Sequence, residues 1–307
     1  MKKVSVIVPS YCHAPFLRAR LDSVFAQDYP EKEVILLDDA STDESQQILR
    51  EYADRPEVTQ VVMNTQNSGN TFLQWQKGLE LATGDYVWIA ESDDTADTRL
   101  LSELVKRMEE DGNGSMTALA YTRSKRIDQD GRELPSPAER WELKDFSMDG
   151  TDFARRHLLG YNHICNASAV LFDRASAMQI DMQEVAAYRA SGDRLFWIRL
   201  AEKGMVKYVS EPLSYFRQHT NKVSARAVQN GNNIVQDHQI YQKVKQETGL
   251  SHIERLLVCG YHWRAIHQPS VSPEGRIATG REWSKEPEYG RFAYWTYLLT
   301  HLTRKIF

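Results

Sequence analysis

The sequence predicts an α/β fold: a mixed, mainly parallel sheet flanked by helices, with a helical C-terminal extension. Two patterns carry the prediction. Over the first 125 residues, short apolar strand-like runs alternate with segments whose apolar residues recur at helical spacing. Such alternation implies parallel strands joined by helical crossovers, with helices on both faces of the sheet. Beyond Ala225 the alternation stops and only helical patterning remains.

The elements follow in order. Lys3 to Val8 is a β-branched run ending at Pro9, the pattern of a buried strand. Pro15 to Gln27 carries Leu17, Leu21, Val24 and Phe25 at helical spacing. Glu33 to Leu37 is a second strand, closed by Asp38-Asp39, and Ser41-Thr42-Asp43 has the composition of a helix N-terminus. Val58 to Met63 is a third strand, Asn67 to Asn70 a turn, and Phe72 to Ala82 an amphipathic helix closed by Gly84. Tyr86 to Ala90 is a fourth strand, with Glu91-Ser92-Asp93-Asp94 just past its end, and Leu100 to Met108 is helical. From Asp128 to Gly150 the pattern weakens around the turn residues Asp130-Gly131 and Pro135-Ser136-Pro137. Asn166 to Phe172 and Val206 to Val209 resume as strands, with a helix over Leu195 to Ala201 led by Gly192-Asp193. The expected division is a sheet domain over residues 1–225, with halves meeting near 125, and a helical extension over 226–307.

Composition narrows the function. The 307 residues are 41% hydrophobic and 26% charged, enough for a large core and a soluble surface. A formal net charge of -4 argues against nucleic acid as the main ligand. Cys12, Cys165 and Cys259 are far apart and lack zinc-site spacing, so they are expected as reduced thiols. No apolar run reaches the length of a signal-peptide core or a membrane span, which predicts a protein kept in the cytoplasm.

Ligands of parallel sheets bind beyond the carboxyl ends of the strands, where both acidic pairs fall. Asp93-Asp94 suits magnesium or manganese, which take oxygen ligands and share phosphate oxygens; the plainer reading is a solvated turn before a helix. Asp39 is a candidate acceptor for a nucleobase N–H, or part of a turn capping the next helix. Asp193 is a candidate general base, or a carboxylate at a helix N-terminus. His219, after Arg217-Gln218, is a candidate metal ligand or phosphate contact, and Lys77 a diphosphate contact or a solvated charge. Trp75 belongs in the core on pattern.

Taken together, these segments resemble family 2 glycosyltransferases, which have the Rossmann-like GT-A fold. The resemblance rests on Val4-Ser5-Val6-Ile7-Val8-Pro9-Ser10-Tyr11, Leu36-Leu37-Asp38-Asp39-Ala40-Ser41-Thr42-Asp43 and the Asn67-x-Gly69 turn. It continues in Gly84 to Asp94, Gly192-Asp193 and Tyr215-Phe216-Arg217-Gln218-His219. Six motifs in the right order across residues 4 to 219 are specific where each alone is weak. The resemblance implies that Asp39 binds the base, commonly uracil, in a pocket lined by Pro9 and Tyr11. Asn67 and Gly69 match the family's turn. Asp93 would contact the donor ribose or sugar, Asp94 would hold Mn2+ or Mg2+ with Asp93 beside it, and His219 would complete that site. Asp193 would be the base of a single inverting displacement. Departures from the family pattern are Glu91 for Asp, Gly192 for Glu, and Thr-Phe-Leu-Gln-Trp-Gln-Lys at 71–77, where many members carry an Arg-Asn pair.

The implied function moves a sugar from a nucleotide-sugar donor, commonly a UDP-sugar, to a glycan or lipid-linked acceptor, as in bacterial surface polysaccharides such as O-antigen. The alternative is an inactive sugar-nucleotide-binding scaffold of the same fold. A dinucleotide-dependent oxidoreductase is rejected because Pro9 to Ala14 contains no glycine. A phosphorelay receiver is rejected because Val58 to Asn67 has no acceptor Asp. A nucleotidyltransferase is disfavoured because its glycine-rich triphosphate loop is missing. At the tail, residues 291–307 place aromatic residues beside Arg304 and Lys305. That mixture suits a peripheral membrane contact, a helix docked on its own domain, or a homodimer interface.

Overall fold

The computed structural model describes residues 1–110, 114–135, 143–219 and 223–306, with side chains throughout except at 223–226 and 301–306. The expected turn at Pro135-Ser136-Pro137 lies partly outside the described residues, as does Phe307. The chain packs as two compact units. One holds Met1–Gly150, Ile164–Arg189 and Arg199–His219; the other holds Thr151–His163, Ala190–Ile198 and Thr220–Phe307. Two short internal stretches therefore group with the C-terminal helices rather than with the sheet.

The first unit is built on the alternation seen in the sequence. Its early elements are β1 (Val4–Ser10), α1 (Ala14–Phe25), β2 (Lys32–Asp38), α2 (Ser45–Tyr52), β3 (Val58–Met63), α3 (Thr71–Leu81) and β4 (Tyr86–Ile89). They continue with β5 (Thr95–Ala96), α4 (Leu100–Glu109), β6 (Thr117–Ile127) and β7 (Phe146–Asp149). After α5 (Gly150–Phe153) come β8 (Val170–Asp173), α6 (Arg174–Ala177), α7 (Met182–Ala187), α8 (Gly192–Ala201) and β9 (Met205–Arg217); of these, α5 from Thr151 and α8 through Ile198 group with the second unit. The strand order is β3-β2-β1-β4-β8-β6-β9-β5, with β7 also on β9. Strands β3, β2, β1 and β4 are mutually parallel, β8 runs antiparallel between β4 and β6, and β6 pairs parallel with β9.

Burial explains the sheet. Every residue of β1 and β4 is buried, as in a strand covered on both faces. Helix α3 lies so close on β1 that a Cβ at Gly78 would sit 2.4 Å from Ile7 Cγ2. Under the strands, Val6, Val8, Leu36 and Trp88 join Leu17, Leu21 and Leu104 in one core. Each such side chain contributes about 1.5–3 kcal/mol by leaving water.

Three sequence expectations change. Strand β6 was hidden because its buried run opens with the small residues Thr117, Ala118 and Ala120 and ends in the charged Arg123-Ser124-Lys125-Arg126. Strand β9 runs on through Pro212 to Arg217, accommodated by register shifts between Thr122 and Ser124 on β6. Asp94-Thr95 leads not into a helix but into β5, which pairs with Ser214 and Tyr215 of β9; α4 begins only at Leu100.

The second unit contains α9 (Val223–Asn230), α10 (Asn232–Thr248), α11 (His252–Ile266), α12 (Pro273–Trp283) and α13 (Arg291–Ile306). Helix α13 lies against α11, where Gly260 lets the backbone at Ala293 approach so closely that a Cβ would be 2.2 Å from its carbonyl oxygen. Phe292, Trp295 and Leu299 of α13 are 73%, 61% and 62% exposed. Among the described residues, no helix is long and apolar enough to cross a membrane. Of the three cysteines, Cys259 is buried, Cys12 half-buried and Cys165 exposed.

Candidate active site

The loops at the carboxyl ends of β1, β2 and β4 meet in the first unit. Two of them carry left-handed backbone at residues that bear side chains, Cys12 at φ 52° and Ala40 at φ 60°. Each costs on the order of 1–3 kcal/mol and persists only where its surroundings hold it. Here the two loops hold each other. Cys12 N donates to Ser41 Oγ at 2.9 Å, His13 N to Ser45 Oγ at 3.1 Å, and Ala14 N to Asp43 Oδ2 at 3.0 Å. Ser41 and Asp43, expected at the start of the next helix, instead satisfy the loop and first helical turn after β1; Asp43 Oδ1 also accepts from Ser45 N, and α2 has no side-chain cap at Glu44.

Asp39 is 4% exposed and fully engaged. Five donors reach its carboxylate: Asn64 Nδ2, Asn67 Nδ2, the Ser68 backbone N–H, Ser68 Oγ and Gln74 Nε2, at 2.7–3.1 Å. A carboxylate offers roughly four lone-pair sites, so a nucleobase could bond to Asp39 only by displacing one donor. What Asp39 does in this structure is order the Asn67–Asn70 turn, whose Gly69 adopts φ +67°. Asp38 is occupied too, by Ser41 N and Gln46 Nε2. Pro9 is buried at the end of β1, and Tyr11 beside it is 48% exposed and able to meet a ligand. Lys77 donates to Asn64 Oδ1 at 2.6 Å.

The second acidic pair divides its labour. Asp94 is 1% exposed; it accepts from Asn166 Nδ2 through one oxygen and from the Arg217 backbone N–H through the other, both at 3.0 Å. It thereby fastens the end of β4 to β9. Asp93 instead lies with its Oδ2 3.1 Å from His219 Nε2. Ligand atoms of Asp93, His219 and His13 all fall within 4.8 Å of one another, the one such potential metal group of three among the described residues. The group of three gathers on Asp93 and His219, while both Asp94 oxygens accept hydrogen bonds from within the protein.

Electrostatics tighten this corner. The Arg20 guanidinium is fully buried, donating from Nε to the Glu91 carbonyl at 2.8 Å and from Nη2 to Ser168 Oγ at 3.0 Å. Burial lowers its pKa to about 10 against the opposing pull of Asp94, Asp93 and Glu91. Burial, then the Asp93 charge, raises the Glu91 carboxyl to about 8, although Trp75 Nε1 donates to it at 2.8 Å. Trp75 is a core residue, 2% exposed, as its spacing implied. Arg217 donates from Nε to the Asp93 carbonyl at 2.8 Å, and its guanidinium lies 5.0 Å from the Phe16 ring centroid.

Asp193 lies in the second unit, in the first turn of α8. Burial raises its pKa, opposed by the Arg194 backbone N–H and charge and assisted by Asp237. Arg194 itself pairs with Asp237 at 3.1 Å and donates to the carbonyls of Leu158, Leu159 and Gly160.

Sequence reasoning missed His13, Arg20, Gln74 and Asn166. His13 is a single histidine three residues past β1, which nothing local marks. Arg20 and Gln74 were masked by sitting in otherwise ordinary amphipathic helices. Asn166 reaches Asp94 from 72 residues away, and nothing local marks it.

A parallel half-sheet with metal-competent acidic and imidazole groups beyond its strand ends is the arrangement of a nucleotide-sugar transferase. The chain belongs to glycosyl transferase family 2, whose profile matches residues 5–180. It is 30% identical over 223 residues to the putative teichuronic acid biosynthesis glycosyltransferase TuaG of Bacillus subtilis, covering 72% of this chain and 81% of that protein. It is also 33% identical over 112 residues to the poly(ribitol-phosphate) beta-N-acetylglucosaminyltransferase TarS of Staphylococcus aureus, covering 36% of this chain but only 19% of that longer protein. In three dimensions the fold matches TarS residues 1–349 crystallised with UDP, at a TM-score of 0.57 and 18% identity over 92% of this chain and 87% of that one. It also matches the mannosyltransferase PcManGT of Pyrobaculum calidifontis, in complex with GDP-Man and Mn2+, at a TM-score of 0.54 and 16% identity over all of this chain and 87% of that one. The fold is thus GT-A and the protein a glycosyltransferase.

Proposed function

We propose that the protein is a metal-assisted, inverting glycosyltransferase that moves a sugar from a UDP-sugar to a hydroxyl of a glycan or lipid-linked glycan in surface-polysaccharide synthesis. The observation that carries the reading is the Asp93–His219–His13 group beyond β4, where a diphosphate would lie in an α/β sheet. UDP as the donor's nucleotide is supported by the TarS complexes with UDP and UDP-GlcNAc.

Asp93 and His219 are the residues that would hold a divalent ion, with His13 beside them, and their donor set of carboxylate and imidazole fits manganese. Such an ion, when bound, offsets charge on the departing diphosphate. The remaining roles fall to the chain itself. Asp39 holds the Asn67–Gly69 turn that frames the base, and Pro9 and Tyr11 line the same pocket. Lys77 supplies positive charge from α3. Asp193, its pKa raised by burial, takes the proton from the acceptor hydroxyl as that oxygen attacks the anomeric carbon opposite the diphosphate. Asp193→Asn is expected to lower transfer about 1,000-fold while leaving UDP affinity within about threefold. Calorimetry and a transfer assay on the same preparation check this, and an equal loss of UDP affinity contradicts the base role.

The exposed face of α13 is assigned to a bilayer surface. Phe292, Trp295 and Leu299 recur at helical spacing, the sequence continues that spacing at Leu302 and Ile306, and Arg291 stands at the helix start. Aromatic and basic residues together suit an anionic interface. Flotation with anionic vesicles should recover the full chain, and serine at 292, 295 and 299 should weaken binding by about tenfold or more. Concentration-dependent dimerisation abolished by the same substitutions, without vesicle binding, would assign the face to a second copy instead.

A further inference from the structure

His13 gives the site a character that a pair of aspartates would not have. Its backbone is fixed at the start of α1, with the N–H on Ser45 Oγ. Its ring is fixed by Ser92, whose Oγ lies 2.7 Å from Nδ1. Ser92 is 1% exposed and immediately precedes Asp93, so the same loop orients both the carboxylate and the imidazole. His219 is fixed from the other side: its ring centroid lies 4.9 Å from that of Phe16 and 5.8 Å from that of His13. The side chains of His219 and Asp93 are only 7% and 13% exposed. The three ligands come from the loop after β1, the end of β4 and the end of β9, so the sheet sets their separation.

Ligand atoms around one ion at ordinary metal–nitrogen distances stand about 3–3.5 Å apart. The group here lies within 4.8 Å and needs only a small inward adjustment. Two imidazoles and one carboxylate suit manganese, cobalt or zinc, whereas magnesium prefers an all-oxygen shell and retains its waters. A hydrogen-bonded partner behind a ligating histidine, such as Ser92, is a recurring feature of built metal sites.

We propose that His13, Asp93 and His219 bind one first-row transition-metal ion in the absence of nucleotide, and that His13 makes the centre favour such ions over magnesium. The inference rests on the transferase reading for the ion's purpose but not for its binding.

The test uses full-length protein stripped with chelator and titrated with Co2+ or Mg2+ alone, by calorimetry and visible absorption. One cobalt per chain is expected, with magnesium about 100-fold weaker. His13→Gln should lower cobalt affinity about 100-fold and Ser92→Ala about tenfold. Proton NMR of the unsubstituted cobalt protein should show two paramagnetically shifted imidazole N–H resonances, a readout that needs no variant to fold. Equal affinity for magnesium, unchanged cobalt binding in His13→Gln, or a single shifted imidazole overturns the proposal. UDP titrated into the same samples separates the two claims. Retained UDP binding with cobalt indifferent to His13 sinks the triad and leaves the transferase standing. Absent UDP binding with His13-dependent cobalt upholds the triad and sinks the UDP-sugar reading.

Discussion

The two acidic pairs, Asp38-Asp39 and Asp93-Asp94, are alike in sequence and differ in use. The first closes the parallel strand β2, and the second lies in the loop between β4 and β5. In the first pair the bonds come from within the protein: Asp38 Oδ2 accepts from Ser41 N in the following loop and Gln46 Nε2 of α2, and Asp39 accepts from five donors in Asn64, the next turn and α3. In the second pair the work is split. Asp94 is sealed between Asn166 and the Arg217 backbone, and Asp93 is left to face imidazoles. The difference comes from what the rest of the chain delivers to each place. Amide and hydroxyl donors turn a carboxylate into a structural knot, whereas imidazoles leave it able to share a cation.

The comparison breaks first at Asp93. Asp93→Asn should lower kcat about 1,000-fold with little loss of stability, because the carboxylate serves a developing charge rather than the fold. A next step is Asp39→Asn, whose new N–H groups would meet donors. It should cost about 3 kcal/mol of folding stability in a denaturant titration, with UDP affinity falling as the Asn67–Asn70 turn loosens. Asp94→Asn should cost about 2 kcal/mol for the same reason, and its activity per folded molecule should fall far less than that of Asp93→Asn. If Asp94→Asn is instead as inactive as Asp93→Asn and fully stable, the division of labour is wrong.

A smaller effect tests a third buried carboxylate, placed away from the ligand. Glu33 is 3% exposed; burial pushes its pKa up, but bonds from Lys3, Ser5 and Thr83 prevail and hold it at about 2. A folded pKa below the unfolded value means that this stabilisation is present above about pH 4 and is lost as pH falls toward about 2. Glu33→Gln should therefore cost about 1.5 kcal/mol at pH 7, and the gap to the unsubstituted protein should close on acidification through that window. Activity at neutral pH should be unaffected per folded molecule.

Much of the fold was legible because a strand covered on both faces must be an apolar run and a surface helix must be amphipathic. The strands starting at Val4 and Tyr86 and the helices over α3 and α4 announce themselves in that way. Strand β6 did not, since its small and charged residues carry neither pattern, and β9 was cut short by Pro212. For the site, the motifs led to the loops that gather here, but the different surroundings of Asp93 and Asp94 are set by Asn166, Arg217 and His219, all distant in the chain. His13 escaped notice because one histidine after a strand has no local signature, and its meaning lies in the fold that brings Asp93 and His219 to it.

The most direct test of the account is calorimetric titration of UDP into the protein with manganese and then with chelator, repeated on Asp93→Ala and Asp94→Asn. The account predicts binding that needs manganese, is lost in Asp93→Ala, and survives in folded Asp94→Asn. Manganese-dependent UDP binding that is unchanged in Asp93→Ala, or no UDP binding under either condition, would contradict it.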